Sequence, residues 1–181
     1  VDLEHGSISI DQLPDLFRAI ELGGALPIAR LAESNRKDCK QVLDAGAGGV
    51  IVPMIETAEQ LESIRDYCFW PPAGKRGVGF SRANLFGKHF VDYNEEAQNP
   101  LLVAQIENIS AVNNLEDILQ VKGLDAIIIG PYDLSASMGI TAEFAHNDFK
   151  KIMSQILKKC KQYNVACGDH IVQPDSEILD K

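Results

Sequence analysis

Short runs rich in β-branched residues recur along this 181-residue chain at steps of about 25 residues or longer, at 26–31, 50–53, 101–107, 124–133 and 165–168. Between successive runs the apolar positions adopt helical spacing. That step length constrains the fold more than any other feature. Antiparallel neighbours can be joined by a two-residue turn, whereas a parallel neighbour needs a crossover of about a dozen residues or more, usually a helix. The chain therefore reads as α/β, with a parallel sheet built from βα repeats. The crossover helices carry their own start signals. Ser9-Ile10-Asp11-Gln12 is a capping box, followed by Leu13, Leu16, Phe17 and Ile20 on one face, and Gly23-Gly24 stops that helix. A second helix covers about 35–45, and Thr57 and Gln60 cap a third. A short one is expected near 91–97, and Val112, Leu115, Ile118 and Leu119 mark another. The longest is striped by Phe149, Ile152, Met153, Ile156, Leu157 and Cys160.

The residues able to do chemistry gather where strands end. The run 101–107 closes on Glu107 and the run 124–133 on Asp133, so two carboxylates arrive at neighbouring ends of buried strands. Two hard oxygen ligands so placed suit a divalent cation, although either acid alone could simply cap the following helix. His5 and Arg30 also stand at strand ends. An open doubly wound sheet concentrates its site at one switch point, but a barrel collects residues from several strands at one mouth. Four strands contribute here, which favours a TIM (β/α)8 barrel. Such a barrel needs about 250 residues and only about six repeats are visible, so the expectation is a single domain over 1–181 that is incomplete at both ends. Val1-Asp2-Leu3-Glu4-His5 in particular reads as the end of a strand already under way.

Composition narrows the partners. The formal net charge is −9 and no basic run is longer than a pair such as Lys158-Lys159, which argues against nucleic acid. No apolar stretch reaches the roughly 18 residues needed to span a bilayer, and the first residues do not form a signal peptide, so a cytoplasmic protein is expected. Cys39, Cys68, Cys160 and Cys167 lack C-x-x-C spacing and read as free thiols. The stretch 69–100 breaks the repeat with Pro71-Pro72 and Gly77-Val78-Gly79; its Arg76 and Arg82 are candidates to wall an acidic ligand. His89, His146 and His170 read as structural or surface residues, with His170, at a strand end, the strongest exception.

Taken in order, Asp2-x-Glu4-His5, Arg30, Val52-Pro53-Met54, Pro71-Pro72-Ala73-Gly74, Arg76-Gly77-Val78-Gly79, Gln105-x-Glu107, Gly130-Pro131-Tyr132-Asp133-Leu134-Ser135 and Ser135-Ala136-Ser137-Met138-Gly139 closely resemble the HpcH/HpaI aldolase family, metal-dependent class II pyruvate aldolases on a TIM barrel. The likeness runs through nearly the whole chain. It implies that Glu107 and Asp133 bind a divalent metal, Mg²⁺ or Mn²⁺, and that Gln105 and the backbone at Tyr132, with Asp133, hold the pyruvyl group. It further implies that His5 accepts a proton, that Arg30 stabilises the transition state, and that Asp44 supports the histidine as a base. Tyr132 stands where alanine is associated with the best-known members.

The implied reaction is reversible cleavage of a 4-hydroxy-2-oxo acid to pyruvate and an aldehyde. Its chemistry needs an electron sink, and no strand-end lysine offers a Schiff base. A citryl- or malyl-CoA type of lyase on a related barrel, or a fragment that binds metal or ligand without turnover, are the alternatives. Asp44 falls at the end of a helix that leads into a strand, far from the strand ends that carry His5. If the two cooperate, the carboxylate comes from a neighbouring subunit, so a homo-oligomer is expected.

Overall fold

The computed structural model describes residues 1–170; residues 171–181, which the expected single domain also includes, lie outside the described residues. Five parallel strands stand side by side in chain order: β1 (Ile28–Arg30), β2 (Gly49–Val52), β3 (Leu101–Ile106), β4 (Ala126–Ile129) and β5 (Ala166–Asp169). Strand order that follows sequence order throughout is what successive right-handed βα units produce when they wind round an axis. The fold is α/β of the barrel type, present as an open arc; among the described residues no strand closes it. The expected first strand end is reduced to a single bridge, Asp2 beside Arg30, framed by the Arg30 N–H donating to the Val1 carbonyl (2.8 Å) and the Leu3 N–H to the Arg30 carbonyl (3.1 Å).

Register decides which side chains look inward. Arg30 pairs with Ile51 and Ile51 with Val103, while Gln105 pairs with Ile128. Side chains alternate along a strand, so these residues share the concave face, and Glu107, two residues beyond Gln105, continues it. The alternate set, Ala29, Val50, Val52, Leu102, Ala104, Ile106, Ile127 and Ile129, is fully or almost fully buried under the helices. The core therefore lies between sheet and helices, and the polar side chains line the inside of the arc.

The helices follow the caps read from the sequence. In α1 (Leu13–Leu22), Leu13 and Phe17 are buried. At the start of α2 (Arg36–Asp44), the Asn35 side chain accepts from the Asp38 N–H (2.9 Å). At α3 (Ala58–Cys68), Thr57 and Gln60 exchange the reciprocal bonds of a capping box. The short α4 (Phe90–Glu96) lies in the long irregular segment. The single helix expected around residues 112–119 is divided into α5 (Ile109–Asn113) and α6 (Leu115–Leu119), because Asn114 turns out of helical geometry and its side chain donates to the Glu56 carbonyl (2.9 Å). A seventh helix, α7 (Pro131–Ser137), follows β4 directly, and α8 (Asn147–Tyr163) is the longest. One expectation is corrected here: the strand read as ending in Asp133 stops at Ile129, and Pro131, favourable at a first helical position, starts α7 with Asp133 in its first turn. Among the described residues no helix is long and apolar enough to cross a membrane. All four cysteines are free thiols, three of them buried.

Candidate active site

Arg30 closes β1, and its guanidinium is gripped from the first residues of the chain. Nε and Nη2 donate to the two Asp2 carboxylate oxygens (2.9 and 2.6 Å), and Nη1 lies 2.9 Å from Glu4 Oε2. Bidentate pairing to a planar fork fixes orientation as well as charge. The hydrogen bonds from Arg30 hold the Asp2 carboxyl at about 2, well below its ordinary value, whereas burial pushes Glu4 up against the pull of the same guanidinium. Nη1 also reaches Gln105 Oε1 at 3.5 Å.

Gln105 carries the network onward. Its Nε2 donates to Glu107 Oε2, and the Met54 N–H donates to Glu107 Oε1 (2.7 Å). Met54 holds φ at 55°, a left-handed conformation that a side-chain-bearing residue adopts only when its surroundings impose it. The turn after β2 thus spends its strain on aiming one amide at Glu107. Gly130 completes the enclosure: a Cβ there would sit 2.8 Å from Glu107 Oε2 and 3.3 Å from Gln105 Nε2, so only glycine lets β4 pass this close.

Glu107 is 2% exposed and, among the described residues, has no ion-pair partner. Its two oxygens are met by two neutral donors, the Gln105 amide and the Met54 N–H, with the Arg30 guanidinium one amide away. Among the described residues no group of three or more His, Cys, Asp or Glu side chains is arranged to hold a metal. Glu107 and Asp133 each offer hard carboxylate oxygens of the kind divalent cations take, Asp133 from the exposed first turn of the helix after β4.

The structure brings Arg30, Gln105 and Glu107 into one network and leaves His5, Tyr132 and Asp133 at its exposed rim. Tyr132 and Asp133 follow Gly130 in the first turn of α7, and the Tyr132 carbonyl accepts from the buried Ser135 hydroxyl (2.9 Å). Asp44 ends α2 at the opposite, strand N-terminal edge, where burial raises its carboxyl and Arg76 and Lys40 pull it back. The roles of Asp2, Glu4 and Met54 were not assigned from sequence, although all three sit in motifs the sequence displays. His170 lines a cavity of about 230 Å³ with Val1, Asp2, Arg30, Ile51, Gln105 and Ile128. His146 is structural, its Nδ1 accepting from the Asp148 N–H (3.2 Å) at the start of α8.

Two expectations fail. Arg76 is 1% exposed, donates to the Tyr93 hydroxyl (3.0 Å) and stacks near Trp70. Arg82 is tied to Glu21 (2.7 Å) and to the Ala45 carbonyl (3.0 Å). Both belong to the strand N-terminal edge, so neither walls the mouth of their own arc. The larger cavity, about 600 Å³, lies at that edge too, between Leu26, Gly46, Arg82 and Pro100. Among its described lining residues the ion pair is that of Arg82 with Glu21.

Comparison with known proteins follows the same lines. A family model described as HpcH/HpaI aldolase/citrate lyase matches residues 1–178. The 2-keto-3-deoxy-L-rhamnonate aldolase of Klebsiella pneumoniae subsp. pneumoniae is 38% identical over 177 residues, 96% of this chain and 66% of that protein. The chain thus spans just under two thirds of the length of the curated relatives it matches. An HpcH/HpaI aldolase/citrate lyase family protein from Burkholderia cenocepacia J2315 is similar with a TM-score of 0.88 at 31% identity, over 93% of this chain and 68% of that one. The HpcH/HpaI aldolase from Desulfitobacterium hafniense DCB-2 gives 0.87 at 27% identity, over 99% and 70%.

The Asp2 clamp has a pH signature. A carboxyl lowered from 3.8 to about 2 contributes stability that is fully present above about 3.8 and lost as pH falls through about 2. Asp2 is 40% exposed, so solvent screening keeps that contribution to about 1 kcal/mol. The stability difference between the protein and Asp2→Asn, from denaturant titrations, should be constant from pH 8 to pH 5 and shrink below pH 4. A difference that grows on acidification would contradict the clamp.

Proposed function

Because this chain belongs to the HpcH/HpaI aldolase/citrate lyase family, we propose that its strand-end network is the active site of a class II aldolase, a carbon–carbon lyase that reversibly cleaves a 4-hydroxy-2-oxo acid to pyruvate and an aldehyde. The observation that carries this reading is the continuous chain from Asp2 and Glu4 through Arg30 and Gln105 to the buried Glu107. It sets a fixed positive fork and a buried carboxylate on the same concave face, joined by one amide. Pyruvate and its enolate, small, planar and anionic, complement such a site.

In the cleavage direction the C4 hydroxyl loses its proton, the C3–C4 bond breaks, C4 leaves as the aldehyde carbonyl, and the bonding pair forms the pyruvate enolate. A divalent cation, Mg²⁺ or Mn²⁺, held by Glu107 and Asp133 would supply positive charge at the keto oxygen, where negative charge accumulates. Arg30 adds charge that is already oriented, because Asp2 and Glu4 hold the fork before substrate arrives, so its reorganisation cost is small. Gln105, whose amide is positioned by Arg30 and Glu107, and the Tyr132 N–H in the first turn of α7 orient the pyruvyl group. His5, exposed at the rim beside Asp2 and Glu4, takes the C4 hydroxyl proton.

Asp44 enters this scheme only through assembly. It lies beyond the N-terminal end of β2, and a strand of about five residues spans roughly 17 Å. His5 stands at the other end of the arc. If Asp44 serves His5, it therefore does so from a second copy of the chain, and the working enzyme is then a homo-oligomer.

Exchange of the pyruvate methyl protons in D₂O, followed by NMR with Mg²⁺ or Mn²⁺ present, reads enolisation without any aldehyde. Glu107→Gln should slow it by at least about a hundredfold while the fold is retained. Exchange at the unmodified rate in that variant would refute the mechanism. Mixing inactive His5→Ala with inactive Asp44→Ala subunits should restore cleavage at sites that pair an intact His5 with an intact Asp44. Demonstrated subunit exchange without recovery would refute the shared site.

A further inference from the structure

Two exposed aromatic rings stand beside Asp133 with no part in the network described above. Tyr132 is 48% exposed and Phe144 37% exposed. Their centroids are 5.1 Å apart at 86°, an edge-to-face pair, and Phe144 lies 5.5 Å from Phe149, a buried residue of the first turn of α8. The pair is held in place rather than loosely draped. The segment between α7 and α8 folds back on α7 through Ser135, whose hydroxyl accepts from the Ala142 N–H (2.9 Å) and whose carbonyl accepts from the Ile140 N–H (3.0 Å). Ala142 takes φ at 60° to make that return. Because α8 is the crossover helix that leads from β4 back into the parallel β5, its first turn, and Phe149 with it, lies at the strand C-terminal side. The ring pair therefore stands at the mouth, with Tyr132 two residues from Gly130, where any Cβ would press on Glu107.

We propose that Tyr132 and Phe144 form the wall against which the aldehyde part of the substrate packs, and that they select neutral aldehydes bearing an alkyl or aryl substituent over aldehydes bearing a carboxylate. This rests on the aldolase reading above. Rigid aromatic faces reward apolar contact and offer nothing to a second negative charge. Within one chain, Arg76 and Arg82, the loop cations that could have received an acidic acceptor, are taken up at the opposite edge by Tyr93 and Glu21.

Butanal and succinic semialdehyde, which differ by a terminal carboxylate, make the test direct. With pyruvate and Mg²⁺, kcat/KM for butanal should exceed that for succinic semialdehyde by about tenfold or more, the scale of apolar-pocket discrimination. Phe144→Ala should lower the butanal value and narrow the ratio to about threefold or less, with Phe144→Leu falling between and keeping the fold. Pyruvate proton exchange should stay unchanged in both Phe144 variants, because Phe144 touches only the wall. An unchanged ratio in both variants, an equal fall for the two aldehydes, or a preference for succinic semialdehyde in the unmodified protein would overturn the wall while proton exchange still upheld the aldolase reading. Absence of proton exchange in the unmodified protein would overturn both.

Discussion

The guanidinium of Arg30 is the point at which the site and the fold meet. It receives the two oxygens of Asp2 and one of Glu4, and it reaches Gln105 two strands away. The same residue supplies the backbone groups that pair with Val1 and Leu3, so the bridge that attaches the first residues to β1 and the charge clamp are one construction. Removing its partners would leave the Arg30 guanidinium, 11% exposed, without a counter-charge, which is costly. Here that cost keeps the first five residues against the sheet, and with them His5. Removing the clamp would free both the positive fork and the proposed base.

Sheet geometry then explains how few residues are needed. Parallel strands in sequential order carry Arg30, Gln105 and Glu107 to one concave face by register alone, while the alternate positions pack the helices. Nothing in this arrangement depends on a long loop folding correctly. The loops add refinement: the strained Met54 turn and the bare Gly130 backbone both close on Glu107, fixing one carboxylate from three strands.

The architecture was legible because its signals are local and repetitive. Step length, capping boxes at Ser9 and Thr57, and the apolar stripe of α8 report nearest-neighbour physics. Arg30 and Glu107 stood out as polar residues ending apolar strands, though each alone also read as a salt-bridge partner or a helix cap; Gln105 came only through the family resemblance. What stayed hidden depends on chain direction in space. Asp133 reads as a strand end, yet Pro131 starts a helix and moves it to the rim. Arg76 and Arg82 sit in a glycine-rich loop that looks as if it belongs to a ligand, but the loop folds under the strand N-terminal edge, where Tyr93, Glu21 and the Ala45 carbonyl take them up. The Tyr132–Phe144 contact joins residues on either side of a turn that sequence gives no means of closing. Asn114 divides a helix for a partner, the Glu56 carbonyl, that lies 58 positions away.

The central claim is that Glu107 at the end of β3 and Asp133 in the first turn of α7 hold one divalent cation, against which the Arg30 and Gln105 network presents a pyruvyl group. A crystal structure with Mn²⁺ and pyruvate, read by anomalous scattering at the manganese edge, tests it most directly. The account predicts a single strong anomalous peak bonded to both carboxylates at about 2.1–2.2 Å, with pyruvate oxygens completing its shell beside Arg30 and Gln105. A peak elsewhere in the molecule, or pyruvate bound at the strand N-terminal cavity with Glu107 free of metal, would contradict it.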